Sequence, residues 1–187
     1  MNIQAAIARV VAGQSLSRAD METVMRTVMQ GEATEVQIGG LLVGLRMKGE
    51  TIDEIVGAAS VMRSLATPVD IDTDGLIDLA GTGGDGANLF NVSTAATFVV
   101  AGAGGRIAKH GNRSVSSSSG SSDVLSALGV DLSVSPAAIA DSIASIGVGF
   151  MFAPMHHSAM KHAIAPRQQL AMRTIFNVLG PLTNPAG

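Results

Sequence analysis

Two neighbouring segments of this chain contain the residue types that bind phosphate. A glycine-rich turn, Gly-Thr-Gly-Gly-Asp at residues 81–85, is followed by Asn-Val-Ser-Thr at residues 91–94. Glycine lets the backbone approach a ligand closely, and successive N–H groups in such a turn form a pocket for an anion. Residues 91–94 open a predicted helix, whose free N–H groups and dipole favour phosphate. Taken alone, the turn is equally well explained as a tight connection between a strand and a helix.

A cationic segment follows the next predicted strand. It reads Lys-His-Gly-Asn-Arg-Ser at residues 109–114 and continues into a serine-rich stretch at residues 116–122. Open α/β sheets bind ligands at the carboxyl ends of their strands. There Lys109 would supply a point charge for phosphate, and Arg113 a bidentate clamp. The alternative is a solvated strand end with a flexible linker, which is less favoured because the loop joins a predicted strand to a predicted helix.

A third group of basic residues lies further along the chain, at His156, His157, Lys161 and Arg167. We predict that His157 and Lys161 lie one turn apart on one face of a helix. Nearby acids and thiols are lacking, which argues against a metal site, whereas Arg167 suits bidentate binding of a carboxylate. On the residues alone, a basic helix facing solvent is the favoured explanation.

The elements that position these residues change character near residue 70. Residues 1–66 have the apolar spacing of amphipathic helices, with N-cap signals at Ser17, Thr34 and Thr51. From residue 75, short apolar strands at 76–80, 106–109 and 149–152 alternate with helices, which is typical of a parallel α/β sheet. The predicted fold class is α+β overall, with an all-helical domain (residues 1–70) followed by a mostly parallel α/β domain (residues 71–187). Three strands make a thin sheet, so we expect the chain to be the first part of a longer domain.

Composition excludes several functional classes. The net charge is −3, with 12 Lys and Arg against 15 Asp and Glu, so any anion site must be local. Cysteine is absent, which rules out disulfides and thiolate metal sites. Trp and Tyr are also absent, which disfavours stacking on single-stranded nucleic acid. We see no signal peptide and no apolar run of roughly 18 residues, so we predict a cytoplasmic protein.

Four motifs in this order resemble those of the anthranilate phosphoribosyltransferases of tryptophan biosynthesis. They are residues 81–85, 91–94, 109–114 and 173–185, and the helical segments 45–51 and 54–57 agree as well. The resemblance implies a fold of the nucleoside phosphorylase/phosphoribosyltransferase type. It also implies transfer of a phosphoribosyl group from phosphoribosyl pyrophosphate to anthranilate, with Mg²⁺ as cofactor and a homodimer formed through the helical domain. Binding of membranes or nucleic acid is not expected.

The resemblance also assigns site residues. It implies a magnesium ligand at Ser93 and no protein nucleophile, and it leaves the general base open. The residues that would meet anthranilate are Gly81, His110, Asn112, His157 and Arg167. The residues that would surround the phosphoribosyl donor are Gly81, Gly84, Asp85, Leu89, Asn91, Val92, Ser93, Thr94, Lys109, His110, Gly111, Asn112, Arg113, Ser114, Val115, Ser116, Ser117 and Ser121. Leu89 stands where the family often has Ser or Thr, so one hydroxyl contact differs.

Two further expectations follow from the same resemblance. The family continues with the rest of the sheet, including an Asp-Glu pair that binds a second magnesium, so we expect this chain alone to be nearly inactive. The alternatives are an enzyme like the pyrimidine nucleoside phosphorylases and a relative that binds nucleic acid without catalysis. Phosphorolysis of thymidine or uridine would identify the first. Salt-dependent DNA binding without binding of phosphoribosyl pyrophosphate would identify the second.

Overall fold

The computed structural model describes residues 1–81, 90–113 and 119–187. The predicted donor contacts Gly84, Asp85, Leu89, Ser114, Val115, Ser116 and Ser117 lie outside these ranges. The chain forms two compact units. Residues 1–65 and 158–183 make up the helical unit, and residues 66–157 and 184–187 make up the α/β unit.

The elements of the described ranges confirm the predicted fold class, a helical part followed by a parallel α/β part. In chain order they are α1 (Ile3–Val11), α2 (Arg18–Met29), α3 (Glu35–Lys48), α4 (Ile52–Ser64), β1 (Leu76–Ile77), α5 (Val92–Gly102), β2 (Arg106–Gly111), α6 (Ser121–Ala127), α7 (Pro136–Ile146), β3 (Val148–Phe152), α8 (Ala153–His156), a 3₁₀ turn (Ser158–Met160), α9 (Lys161–Leu170), α10 (Ile175–Leu179) and a second 3₁₀ turn (Gly180–Leu182). In these ranges no helix combines the length and apolarity needed to cross a membrane.

The predicted N-caps of the helical unit are confirmed. The hydroxyls of Ser17, Thr34 and Thr51 accept the N–H groups of Asp20, Gln37 and Glu54. Glu54 also accepts the Thr51 N–H at 2.8 Å, which completes a capping box at the start of α4. Each cap satisfies backbone donors that have no partner inside the helix, and so fixes where the helix begins.

Glu54 does more than cap its helix. It is fully buried, and its carboxylate accepts hydrogen bonds from the Leu16 N–H at 2.8 Å and the Lys48 ammonium at 2.9 Å. Burial alone would raise the pKa of Glu54, but the N–H groups of Leu16 and Thr51 and the Lys48 ammonium outweigh it and hold the pKa below its ordinary value. One carboxylate therefore joins the loop before α2, the end of α3 and the start of α4.

The compact units differ from the predicted domain division at residues 158–183. The sequence analysis assigned this segment to the α/β domain, yet its apolar side chains complete the helical core. Ala163, Ile175 and Leu179 are fully buried in one cluster with Leu41 and Leu45 of α3. A hydrophobic stripe shows that a helix has a buried face but not which neighbour covers it, so the assignment depends on tertiary packing.

The α/β unit is built on a parallel sheet of order β1-β2-β3. Leu76 and Ile77 pair with Arg106 and Ile107, and residues 107–111 pair with residues 148–152. Its core includes Ala108, Met151 and, from α7, Ile143. A Cβ on Gly149 would lie 2.7 Å from the Ile143 side chain, so glycine is what allows α7 to pack closely on β3.

The structure corrects local predictions around the third basic group. His157 follows the end of α8, and α9 begins at Lys161, so these two residues do not share one helical face. The sequence around Pro166 suggests a kink or a break in this helix, but α9 continues through Pro166, and its C-cap Ala171 adopts a left-handed backbone with φ of 47°. The serines at 121 and 122 are candidate N-caps for α6 by residue type, but the N-cap is Gly120.

Candidate functional site

Several predicted site residues lie at the carboxyl end of β2. Lys109, His110 and Gly111 are the last residues of this strand, and β1 ends beside it at Ile77. Gly81 is exposed four positions after the end of β1. The carboxyl ends of adjacent parallel strands lie at one edge of a sheet, which is where open α/β sheets bind ligands.

Lys109 is buried, with 2% of its surface exposed. Its ammonium donates a hydrogen bond to the carbonyl of Leu79 at 2.6 Å, two residues before the glycine-rich turn begins. Burial lowers the pKa of Lys109, and the nearby carboxylate of Asp78 works in the opposite direction. The cation is therefore attached to the backbone that leads into the turn.

Asp78 is an acid at this edge, and sequence reasoning gave it no role. Its carboxylate accepts the His110 N–H at 3.2 Å and the side-chain amide of Asn184 at 2.8 Å. Burial raises the pKa of Asp78, although the hydrogen bonds from Asn184 and His110 and the charge of Lys109 oppose that rise. Asn184 was also missed. It lies within the motif at residues 173–185, but 106 positions from its partner, and residue types do not reveal such a pairing.

Two of the predicted anthranilate contacts lie together in the α/β unit. The rings of His110 and His157 are 5.1 Å apart between centroids and tilted by 55°, and both residues are buried. Gly111 follows, and a Cβ at that position would come within 2.9 Å of both the Phe150 ring and the Ser121 hydroxyl. Glycine at 111 thus lets the start of α6 approach the end of β2.

The amino end of α5 offers backbone donors at the place predicted for phosphate. Asn91 is the N-cap, but its side chain makes no capping bond and donates instead to the Ser119 carbonyl at 3.2 Å. The first turn contains Val92, Ser93 and Thr94 and has no acid. A helix start without a side-chain cap or an acidic residue is suited to an anion.

Asn112 and Arg113 are exposed after the end of β2. The Asn112 carbonyl accepts the Ser122 N–H at 3.4 Å, which ties this loop to α6. Arg113 forms one wall of an open groove of about 350 Å³, whose other walls include Phe152 and Met155.

Arg167, the predicted carboxylate clamp, belongs to α9 in the helical unit. It is partly buried, and its guanidinium lies over the Phe176 ring, 5.2 Å from the centroid. Burial lowers the pKa of Arg167 from its ordinary value. Stacking on an aromatic face orients the planar guanidinium.

Among the described residues, this site offers few ligands for a magnesium ion. In the described ranges, no group of three or more acidic or histidine side chains could hold a metal. Ser93, the predicted ligand, can supply one hydroxyl oxygen from the first turn of α5. Mg²⁺ is commonly bound through few protein groups together with substrate phosphates and water. The chemistry of this residue therefore fits an ion that is held mainly by the phosphate groups of a ligand.

Comparison with known proteins agrees with this fold. A family described as "Glycosyl transferase family, helical bundle domain" matches residues 4–66, and its "a/b domain" matches residues 73–187. The chain belongs to this glycosyl transferase family, whose two domains together match most of its length.

Individual relatives narrow the comparison to one kind of enzyme. The chain is 68% identical over 187 residues to the anthranilate phosphoribosyltransferase of Teredinibacter turnerae and 67% identical over 186 residues to that of Cellvibrio japonicus. These alignments cover 100% of this chain but 55% and 54% of the two relatives. The chain thus spans about half the length of the curated relatives it matches.

Solved structures give the same result. The anthranilate phosphoribosyltransferase of Thermus thermophilus is similar with a TM-score of 0.90 and 46% identity, over 97% of this chain and 55% of that one. The enzyme of Saccharomyces cerevisiae in complex with PRPP (phosphoribosyl pyrophosphate) and Mg has a TM-score of 0.87 and 30% identity, over 98% and 55%.

Proposed function

We propose that this chain forms the donor-binding part of an anthranilate phosphoribosyltransferase that acts in tryptophan biosynthesis. The supporting observation is the arrangement at the carboxyl end of β2, where Lys109, His110 and Gly111 adjoin Asp78 and His157. A similar yeast structure contains phosphoribosyl pyrophosphate and Mg. The activity of the whole protein would be transfer of the phosphoribosyl group to anthranilate, giving N-(5-phosphoribosyl)anthranilate and pyrophosphate.

The proposed reaction requires positioning more than covalent catalysis. The anthranilate nitrogen forms a bond to the anomeric carbon, the bond from that carbon to pyrophosphate breaks, and the nitrogen loses a proton. Positive charge develops on the ribose while negative charge builds up on the leaving pyrophosphate. A protein accelerates such a step by aligning the amine and by stabilising the leaving charge with fixed donors and cations.

Each predicted residue receives a role in this proposal. The first turn of α5 and the glycine-rich turn would hold phosphates, and Mg²⁺ would be held by the pyrophosphate together with Ser93. His110, Asn112 and His157 would face anthranilate, and Arg167 would bind its carboxylate. The other assignments of the resemblance, including those outside the described ranges, are proposed without change.

Binding of the donor tests the proposal directly. We expect residues 1–187 to bind phosphoribosyl pyrophosphate in calorimetry, and to bind it more weakly without Mg²⁺, because the ion that Ser93 would help to hold would neutralise negative charge on the pyrophosphate. Ser93→Ala should weaken Mg²⁺-dependent binding by about tenfold, the loss of one favourable contact. The control is Ser145→Ala, an exposed serine of α7 whose hydroxyl donates to the Asp141 and Ser142 carbonyls of its own helix. A folded chain that shows no saturable binding would contradict the proposal.

Turnover tests the complete activity. We expect residues 1–187 alone to form little N-(5-phosphoribosyl)anthranilate, and expect turnover when they are joined to the remaining part of the Teredinibacter turnerae relative. Phosphorolysis of thymidine or uridine by the joined protein would instead identify a nucleoside phosphorylase.

We also propose a cytoplasmic homodimer formed through the helical unit. Val36 and Met47 lie on one face of α3 and are 86% and 83% exposed, which is unusual for apolar side chains of this size. Val36→Lys should weaken self-association by at least about tenfold, because a charge would be buried in an apolar contact. Sedimentation measures this, and Gln30→Lys, at the exposed C-cap of α2, is the charge-matched control. A monomer in the unmodified protein would refute the dimer.

A further inference from the structure

The backbone pairing of β1 with β2 stops at Ile77, and side chains continue it. Beyond that point the Asp78 carboxylate accepts the His110 N–H at 3.2 Å. The Asn184 amide donates to the Ala108 carbonyl at 2.9 Å, and the Lys109 ammonium donates to the Leu79 carbonyl at 2.6 Å. Backbone groups that would pair across a parallel ladder are thus satisfied by side chains.

The replacement of backbone hydrogen bonds by side chains is important because of its position in the sheet. A side chain placed between two strands keeps their ends further apart than direct backbone bonds would allow. This end is the carboxyl edge of the sheet, where β1 leads toward Gly81 and β2 ends at Gly111. The bridging side chains therefore define the separation of the ends of β1 and β2, next to the residues of β2 to which the donor is assigned.

Asn184 has the central position among these bridges. Its Nδ2 group donates both to Asp78 at 2.8 Å and to the Ala108 carbonyl, so one amide connects the end of β1 to β2. Its Oδ1 atom accepts the Ala186 N–H at 2.8 Å, which fixes the orientation of the amide. The amide also stabilises a carboxylate whose burial is unfavourable, since Asp78 has a raised pKa despite this hydrogen bond.

We propose, on the basis of the function proposed above, that Asn184 is a positioning residue of the phosphoribosyl-donor site. By bridging Asp78 and the Ala108 carbonyl, it holds the ends of β1 and β2 at the separation that the donor requires. It acts through these two partners and does not itself contact the donor.

Alanine at position 184 tests this role. We expect Asn184→Ala to bind phosphoribosyl pyrophosphate with Mg²⁺ at least about tenfold more weakly in calorimetry. The variant loses the hydrogen bond to the charged Asp78 side chain, and with it the bridge that positions the ends of β1 and β2. The control is Ser142→Ala, which removes a 2.7 Å bond to the Val148 carbonyl at the amino end of β3. It should lower the unfolding temperature but leave donor affinity within about twofold. Unchanged affinity in Asn184→Ala, or an equal loss in the control, would overturn the proposal.

The isosteric variant Asn184→Asp should have a pH-dependent donor affinity, which a loss of stability alone would not produce. Asn184→Asp places a second carboxylate against Asp78, with the Lys109 ammonium as the cation that faces Asp78. Two facing carboxylates share a proton as the pH falls, which restores a donor between them. We therefore expect its donor affinity, relative to the unmodified protein, to recover between about pH 8 and pH 5.

The outcomes separate the two proposals. A constant ratio of affinities over this pH range would reject the role of Asn184 and leave the proposed function intact. Failure of the unmodified protein to bind the donor would reject the proposed function itself. Amide exchange at His110, which donates to Asp78, provides a readout that needs no ligand. This exchange should accelerate in both Asn184 variants but not in Ser142→Ala.

Discussion

Replacement of Glu54 by alanine is expected to lower the free energy of unfolding by about 3–5 kcal/mol, the usual result of removing one partner of a buried ion pair. The Lys48 ammonium, whose side chain is only 6% exposed, would lose its carboxylate partner. The N–H of Leu16 would lose its acceptor as well, and an unsatisfied buried donor adds to the loss. Chemical denaturation of the two proteins at neutral pH measures the difference.

The pH dependence of this stabilisation identifies the carboxylate as its source. The folded-state pKa of Glu54 lies below the ordinary value of 4.5, so the folded state binds fewer protons than the unfolded state between these two values. The contribution of Glu54 is therefore complete above pH 4.5 and is lost as the pH falls through the folded-state pKa. Glu54→Gln should have a smaller loss than alanine and should lack this dependence.

The neighbouring residue is the control for these variants. Asp53 forms an ion pair with Arg18 at 3.2 Å, but both side chains are more than half exposed. Asp53→Asn should change the free energy of unfolding by less than about 1 kcal/mol, because exposed pairs are weak and are screened by salt. An equal loss in Asp53→Asn and Glu54→Ala would show that burial and hydrogen bonding do not distinguish the two acids.

The sequence was sufficient to predict those parts of the fold that depend on contacts between residues close together in the chain. The Thr51–Glu54 capping box spans three residues, and the N-cap signal at Thr51 predicted the start of α4. The alternation of apolar strands and helices after residue 75 likewise predicted a parallel sheet. These signals come from backbone satisfaction and hydrophobic periodicity, which residue types report directly.

The sequence was insufficient to predict features that depend on contacts between residues far apart in the chain. Residues 158–183 have the periodicity of a covered helix, but only tertiary packing shows that α3 and its neighbours cover them. Asn184 reads as a turn residue between Thr183 and Pro185, and its partner Asp78 is far away in the chain. Lys109 was correctly predicted to lie at the carboxyl end of a strand. Its hydrogen bond to the Leu79 carbonyl, however, depends on the path of the chain after β1.

Lys109→Met is expected to weaken binding of phosphoribosyl pyrophosphate with Mg²⁺ by about a hundredfold, because it removes a buried cation whose charge acts on Asp78, and an uncompensated buried charge costs about 3–5 kcal/mol. Methionine keeps the length of the side chain but removes its charge. The Leu79 carbonyl loses its donor, and the Asp78 carboxylate is left without its cation close to the proposed pyrophosphate position. Calorimetry on the folded variant measures the loss, and an affinity equal to that of the unmodified protein would contradict it.

Stability should change with pH in a characteristic way in the same variant. Burial already places the folded-state pKa of Asp78 above its ordinary value of 3.8, and Lys109 is one of the groups that lower it. Without Lys109 this pKa rises further. The contribution of a group with a raised pKa is complete below the unfolded value and is lost as the pH rises through the folded value. Denaturation of Lys109→Met should therefore show a decline in stability that extends further toward neutral pH.

The double variant Lys109→Met with Asp78→Asn distinguishes two roles of Lys109, which are to neutralise the Asp78 charge and to hold the Leu79 carbonyl in position. It removes both buried charges, so the decline in stability toward neutral pH should disappear. Donor affinity should recover only in part, because the unpaired carboxylate is gone while the Leu79 carbonyl still lacks the ammonium that holds it. Full recovery would mean that Lys109 serves only to neutralise Asp78. No recovery of stability would mean that the two side chains are not energetically coupled, and that the charge of Lys109 acts on the donor without Asp78 as an intermediary.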